Sequence, residues 1–342
     1  MADQRSGGIA YCDETWNPAI GCSQVSAGCG NCWAVRQALR MCGLGQRYEE
    51  LVRDGEWTGK TRLVEHVLDA PLRWRRPRTI LVASMGDLFH ESRSDEDIDR
   101  VFAVMALASW HKFLVLTKRA ERMRKYLSGI TAHEGWEDRW ADATADIGGI
   151  GHPFPSLWPL PNVRLGVSVE GQASADERIP LLLQTPAACR WVSVEPMLGP
   201  VDLGCYLATV VESVGGHGVT YSERVVQPAL DWVVVGGESG PHARPCDVAW
   251  VRDVVRECRE AAVPCFVKQL GRWIAGDWPT TPEGHLYVDR WLFPDGAIWV
   301  PGVIGEHNYL RPEGAIAFQL RDRAGADPAE WPEDLRVREL PA

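Results

Sequence analysis

Short apolar runs at 79–84, 113–117, 163–169, 190–194, 232–236 and 264–268 recur along the chain, with helical patterns between most of them. Runs this continuous in Val, Ile and Leu suit strands buried on both faces, the environment of a parallel sheet covered by helices. Parallel neighbours need a crossover connection, so the intervening segments are expected to supply helices. Between the first two runs, Ile98, Val101, Phe102 and Met105 keep the i, i+3, i+4, i+7 rhythm, with Ser94 placed as the N-cap. Val248, Val251, Val254, Val255 and Cys258 repeat the pattern after Asp247. A further strand is expected around 9–16. The alternation predicts an α/β fold, either an open doubly wound sheet or a partial or complete parallel (β/α) barrel.

The residues that leave the strands choose between these. Asp87 follows the first run, Lys118 the second, Glu170 the third, Glu195 the fourth, Glu238 the fifth, and Lys268 with Gln269 the sixth. In a barrel they converge at the C-terminal mouth, where such folds place their chemistry; in an open sheet they are strung along an edge. A residue leaving a buried strand is often only the first solvated one, and it is the recurrence that marks a site. The expectation is therefore a barrel over 1–271, with an inserted connection near 134–162 that lacks clean periodicity. Residues 272–342 read as a C-terminal extension or small capping subdomain. Gly236-Gly237-Glu238-Ser239-Gly240 is a glycine-rich strand exit that permits close backbone approach to a ligand. No G-x-G-x-x-G or P-loop follows a strand, so dinucleotide and Walker-type nucleotide binding are not supported.

Cys22, Cys29 and Cys32 fall within eleven residues, in G-C-S-Q-V-S-A-G-C-G-N-C-W. The first residues show neither a basic n-region nor an apolar h-region, so a reducing, cytoplasmic setting is expected, where clustered Cys bind metal more often than they form disulfides. Zinc would need a fourth ligand, for which Cys12 and Cys42 are candidates. A cubane cluster on three cysteines leaves one iron open for a substrate or cofactor, and a metal-free loop is the third reading. Cys189, Cys258 and Cys265 lie in apolar stretches and read as core.

A formal net charge of −10 argues against general, charge-driven attachment to nucleic acid or anionic membranes. No apolar run approaches the roughly 20 residues of a membrane span. A local basic groove is still open: Arg73, Arg75, Arg76 and Arg78 surround Trp74, and Lys118, Arg119, Arg122, Arg124 and Lys125 follow the second run. The second group reads as a solvated helix face.

An ordered set of motifs carries a resemblance. Thr15-Trp16-Asn17-Pro18 leads to Gly21-Cys22 and then Ser26-x-Gly28-Cys29-x-Asn31-Cys32. Further along come Gly86-Asp87-Leu88-Phe89, Leu116-Thr117-Lys118-Arg119, Gly166-Val167-Ser168-Val169-Glu170 and Ser193-Val194-Glu195-Pro196. Gly236-Gly237-Glu238-Ser239-Gly240 with Arg244-Pro245, and Phe266-Val267-Lys268-Gln269, complete the set. Over about 9–275 this resembles a phage-borne family known for its three-cysteine motif and formerly of unknown function, which is similar to radical S-adenosylmethionine enzymes. The resemblance implies a radical-SAM type barrel in which Cys22, Cys29 and Cys32 hold a [4Fe–4S] cluster. It also implies that S-adenosylmethionine chelates the open iron and is cleaved to a 5′-deoxyadenosyl radical after an electron donor reduces the cluster. The chain departs from the common C-x3-C-x2-C spacing by using C-x6-C-x2-C, and Asn31 stands where an aromatic is usual.

On this reading Glu170, Glu195, Gly236, Gly237, Glu238 and Ser239 receive the cofactor, while Lys118 and Lys268 meet a carboxylate or phosphate as catalytic candidates. The expected activity is modification of a nucleotide, nucleic-acid base or related small substrate in a phage or mobile-element context, with room for a separately encoded protein partner. The rival is a nucleic-acid-binding protein with a structural metal, for which 16 Trp offer stacking platforms. A conventional metal hydrolase is weakened by the lack of a His-rich or paired-carboxylate signature.

Overall fold

The computed structural model describes residues 9–132, 136–147, 158–207, 215–216, 219–220, 229–278, 290–299 and 313–341. Among them, strands β1 (Glu14–Trp16), β2 (Thr79–Val82), β3 (Lys112–Thr117), β4 (Val163–Val169), β5 (Cys189–Val194), β6 (Trp232–Gly236) and β7 (Cys265–Gln269) form one sheet. Their order in the sheet is their order in the chain, and every neighbouring pair is parallel. A doubly wound sheet reverses its winding at a switch point; this one never does. It curls into a half-barrel, the partial form of the (β/α) barrel.

The two sheet faces separate by the strand's period of two. Outward residues such as Val115, Leu165, Val167, Val192, Val233 and Val267 pack with the helices in the main core. Inward residues Leu81, Leu114, Trp191, Trp232, Val234 and Phe266 form a second cluster around Tyr11, whose ring lies edge-on to Trp191, Trp232 and Phe266 at 5.7–6.0 Å. Gly166 on β4 makes room for this plug, because a methyl group there would collide with the Trp191 ring.

The helices include α1 (Trp33–Leu39), α2 (Asp95–Leu107), α3 (Ala120–Ala132), α4 (Trp136–Asp146), α5 (Gln172–Leu183) and α6 (Val248–Glu260). Ser94 Oγ accepts from Asp97 N–H and so caps α2, whose Ile98, Val101, Phe102 and Met105 are buried. Asp247 caps α6 through Ala249 N–H. Among the described residues no helix is long and apolar enough to cross a membrane.

Two expectations need correction. The stretch 134–162 is not wholly irregular or peripheral: it contains α4, and Trp140 on that helix is fully buried, stacked on Phe102 at 5.3 Å with its indole N–H on Asp99. Residues 133–135 and 148–157 lie outside the described set. Cys258 and Cys265 are core as expected, but Cys189 is only half-buried. Beyond 272, the short strand Ile274–Ala275 pairs with Cys246–Asp247 from the β6–α6 connection, within a five-stranded sheet that also holds Ala317–Gln319, Arg290–Leu292 and Ile298–Trp299. Trp291, Phe318, Trp331 and Leu335 join the main core. Val337 and Glu339 then hydrogen-bond antiparallel along the free edge of β7, and Trp232 donates to Glu339 O.

Gly166→Ala should lower stability by about 1–3 kcal/mol, the cost of forcing a methyl into a filled core. Combined with Trp191→Phe, the losses should sum to less than their separate values, because the smaller ring gives the methyl its space. Equilibrium denaturation of the two single variants and the double variant measures this.

Candidate functional site

Inward-facing positions that begin as Leu and Trp low in the sheet end as charges at its rim. The steps of two run 114-116-118 on β3, 168-170 on β4, 193-195 on β5, 236-238 on β6 and 266-268 on β7, so Lys118, Glu170, Glu195, Glu238 and Lys268 share one mouth. A cavity of about 880 Å³ opens there, lined among others by Cys22, Cys29, Cys32, Lys118, Glu195, Gly237, Glu238, Ser239 and Lys268. That volume lies in the upper range for small-molecule sites. Glu170 sits just beneath the cysteine loop, and Gly236 lies beside the Glu195 carboxylate. Cys12 lines the cavity; Cys42 does not, and its thiol donates to Leu39 O.

The cysteine loop follows β1 and rests on the strand exits at three places. Near its start, the Arg119 guanidinium donates to Ser23 Oγ at 2.7 Å, reaches Cys22 Sγ at 3.5 Å and pairs with Asp87 at 3.1 Å and Glu91 at 2.9 Å. Asp87 also accepts from Thr117 Oγ1 at 2.7 Å and from Lys118 N–H at 3.2 Å. In the middle, Ser26 Oγ donates to Glu170 at 2.6 Å, and Glu170 is in contact with Lys118 and paired with Arg178 at 3.3 Å. Gly28 passes so close above that any side chain would strike Glu170 and Lys118. At the far end, Asn31 donates to Glu238 at 3.0 Å and to His242 O at 2.6 Å, and Arg36 donates to Ser239 O at 3.0 Å. Arg244 forks onto both Glu238 oxygens at 2.6 and 2.9 Å and crosses to Ala27 O at 3.0 Å.

The electrostatics follow from these contacts. Burial would raise the Glu238 carboxyl, but the hydrogen bonds from Arg244 and Asn31 outweigh it and hold the group below the usual carboxylate range. Burial likewise works against the Cys29 thiolate, yet the Lys118 ammonium and nearby backbone N–H groups bring the thiol below its ordinary value. Cys22 is pushed up, first by burial and then by Asp87, against the pull of Arg119. Burial lowers the Lys118 ammonium, with Cys29 opposing the shift.

Three thiols lining one cavity, with Lys118 and Arg119 beside them to offset thiolate charge, are a donor set suited to an iron–sulfur cluster. Among the described residues no three His, Cys, Asp or Glu side chains converge as ligands of a single ion. A cubane asks for less convergence, since each thiolate binds a different iron.

Residues 6–311 match the family described as "Protein of unknown function (DUF5131)". The chain belongs to that family. No match was found among curated proteins or among solved structures. Arg119, Arg244, Arg178, Asn31 and Ser26 hold the site together, yet none stood among the expected site residues. Ser26, Asn31, Arg119 and Arg244 were visible as parts of motifs, and Arg119 also as one of a basic series; Arg178 carried no signal. The expected solvated face after β3 is accurate for Arg124 and Lys125, which pair with Glu121, but Lys118 and Arg119 turn into the mouth.

Arg119→Met removes the partner of a carboxylate that is only 5% exposed. It should cost about 3–5 kcal/mol, as for other broken buried pairs. Arg124→Met, at an exposed pair, should change stability by no more than about 0.5 kcal/mol. Urea unfolding of both variants checks the contrast.

Proposed function

We propose that this protein is a [4Fe–4S] enzyme of the radical S-adenosylmethionine type, acting on a nucleotide, a nucleic-acid base or a related small substrate. The single observation that carries the reading is the placement of Cys22, Cys29 and Cys32 on a cavity at the C-terminal mouth of a singly wound parallel half-barrel. Those three residues would hold the cluster. When bound, the cluster and S-adenosylmethionine would supply one-electron chemistry.

The rest of the work falls to the chain. Asn31, Ser26 and Arg119 fix the loop against the strand exits, so that the thiols are positioned before any ligand arrives. Gly236 and Gly237 let the strand exit pack closely, Gly236 against the Glu195 carboxylate and Gly237 against the Leu270 backbone, which fixes the wall that carries Glu238 and Ser239. The aromatic plug of Tyr11, Trp191 and Trp232 closes the barrel beneath and keeps water from entering through its floor. Lys118 and Lys268 are the cationic candidates for contact with substrate, and Glu195 is the carboxylate least committed to the scaffold. A reductant and a separately encoded partner remain part of the proposal, as does a cytoplasmic setting.

Anaerobic purification with iron and sulfide analysis is the direct test. The protein should carry both elements with the absorption of a cubane cluster, bind S-adenosylmethionine, and release 5′-deoxyadenosine when reduced. Cys22→Ala, Cys29→Ala and Cys32→Ala should each abolish the cluster absorption, whereas Cys42→Ala should leave it intact. Stoichiometric zinc without iron would instead support a structural metal in a binding protein.

A further inference from the structure

Most charges at the mouth are consumed by the protein itself. Glu170 is taken by Lys118, Arg178 and Ser26, Glu238 by Arg244 and Asn31, and Asp87 by Thr117, Lys118 N–H and Arg119. Glu195 and Lys268 differ. Among the described residues, the one close polar contact of their side chains is with each other, Lys268 Nζ to Glu195 Oε1 at 2.8 Å. The second carboxylate oxygen has a single long contact, Ser193 Oγ at 3.4 Å, and the ammonium keeps two of its three donors. Both side chains line the cavity, at 13% and 20% exposure, so their spare hydrogen-bonding capacity faces it rather than bulk solvent.

We propose that Glu195 and Lys268 form a subsite that reads the hydrogen-bonding edge of an unpaired nucleobase, with the carboxylate accepting a ring N–H and the ammonium donating to the adjacent C=O. This rests on the nucleobase class in the functional reading above and deepens it. A donor and an acceptor side by side match the lactam edge of uracil or guanine, whose two groups sit next to one another in the ring plane. The surroundings suit a flat neutral ring: Tyr11 lies under Lys268, with its centroid 5.9 Å from Nζ, and Leu81 and Leu116 supply apolar wall. An amino-acid headgroup has complementary charges too, but burying a zwitterion against that wall costs more than burying a lactam. Because the edge being read is the pairing edge, a base within a duplex is excluded.

The experiment is calorimetric titration of the as-purified protein with uridine and guanosine, and with 3-methyluridine and 1-methylguanosine, in which a methyl replaces the ring N–H. The parent nucleosides should bind about tenfold or more tightly than their methylated forms, the worth of one hydrogen bond to a charged group. Lys268→Met and Glu195→Leu should each erase that preference, with thermal midpoints confirming that the variants fold. Equal binding of methylated and parent nucleosides overturns the subsite, as does the absence of nucleoside binding or displacement of uridine by free methionine. Iron analysis and S-adenosylmethionine binding on the same samples separate the two ideas. Lactam binding without iron keeps the subsite and removes the radical-enzyme reading. An iron-loaded, cofactor-binding protein that ignores nucleosides does the reverse.

Discussion

A charge carried out of water at the end of a buried strand must find a partner, since an unpaired one costs several kcal/mol. In this half-barrel the period of two turns Lys118, Glu170, Glu195, Glu238 and Lys268 inward at one rim, so the strand ends themselves have to satisfy one another. Lys118 meets Glu170, and Lys268 meets Glu195. What remains is satisfied by the cysteine loop, through Ser26 on Glu170 and Asn31 on Glu238, and by Arg244 of the β6–α6 connection, also on Glu238. The loop's position is therefore a consequence of charge neutralisation at the sheet rim. Gly28 is required there because the loop lies directly on the Lys118–Glu170 contact.

The half-barrel was legible because a parallel sheet buried on both faces writes itself as continuous apolar runs, and each run falls within two residues of its strand. The singly wound order was not legible from those runs, which an open sheet shares; the charged exits carried that distinction. Trp140 was read as part of an irregular connection because its helix shows no clean apolar stripe in a Trp-, Gly- and Pro-rich stretch. Its burial depends on Phe102 and Asp99, far earlier in the chain. Arg119 was hidden for a related reason. An arginine followed by Arg122, Arg124 and Lys125 looks like one of a solvated series, and only the fold brings Asp87, Glu91 and Ser23 around it.

The same contacts bear on the nucleic-acid-binding alternative. Attachment to a phosphate backbone draws on cations that are free to exchange counterions for phosphates. The basic clusters of the first half are largely spoken for: Arg73 pairs with Asp69, Arg78 with Glu14 while lying over the Trp74 ring, Arg122 with Asp95, and Arg124 and Lys125 with Glu121. The charge of those five residues is locally offset. Aromatic stacking platforms fare similarly, because Trp16, Trp140, Trp191, Trp232, Trp291 and Trp331 are buried in the cores. Much of what made a binding module attractive in the sequence is thus used by the fold, while Arg75, Arg76, Trp33 and Trp110 stay exposed.

The half-barrel also leaves a structural debt at its open side, and the way it is met keeps the mouth accessible. β7 would expose a row of unpaired backbone groups, an edge open to pairing with other chains. Residues 337–339 cover it antiparallel, while the indole of Trp232 and the guanidinium of Arg164 reach the same segment at Glu339 O and Pro341 O. Trp232 opens β6 and Arg164 lies near the start of β4, so this cover runs along the edge at the N-terminal side of the sheet. The cysteine loop occupies the opposite end. Edge protection and the candidate site are thus assigned to different ends of the same strands, which lets Glu195 and Lys268 near the C-terminal ends of β5 and β7 remain exposed to the cavity.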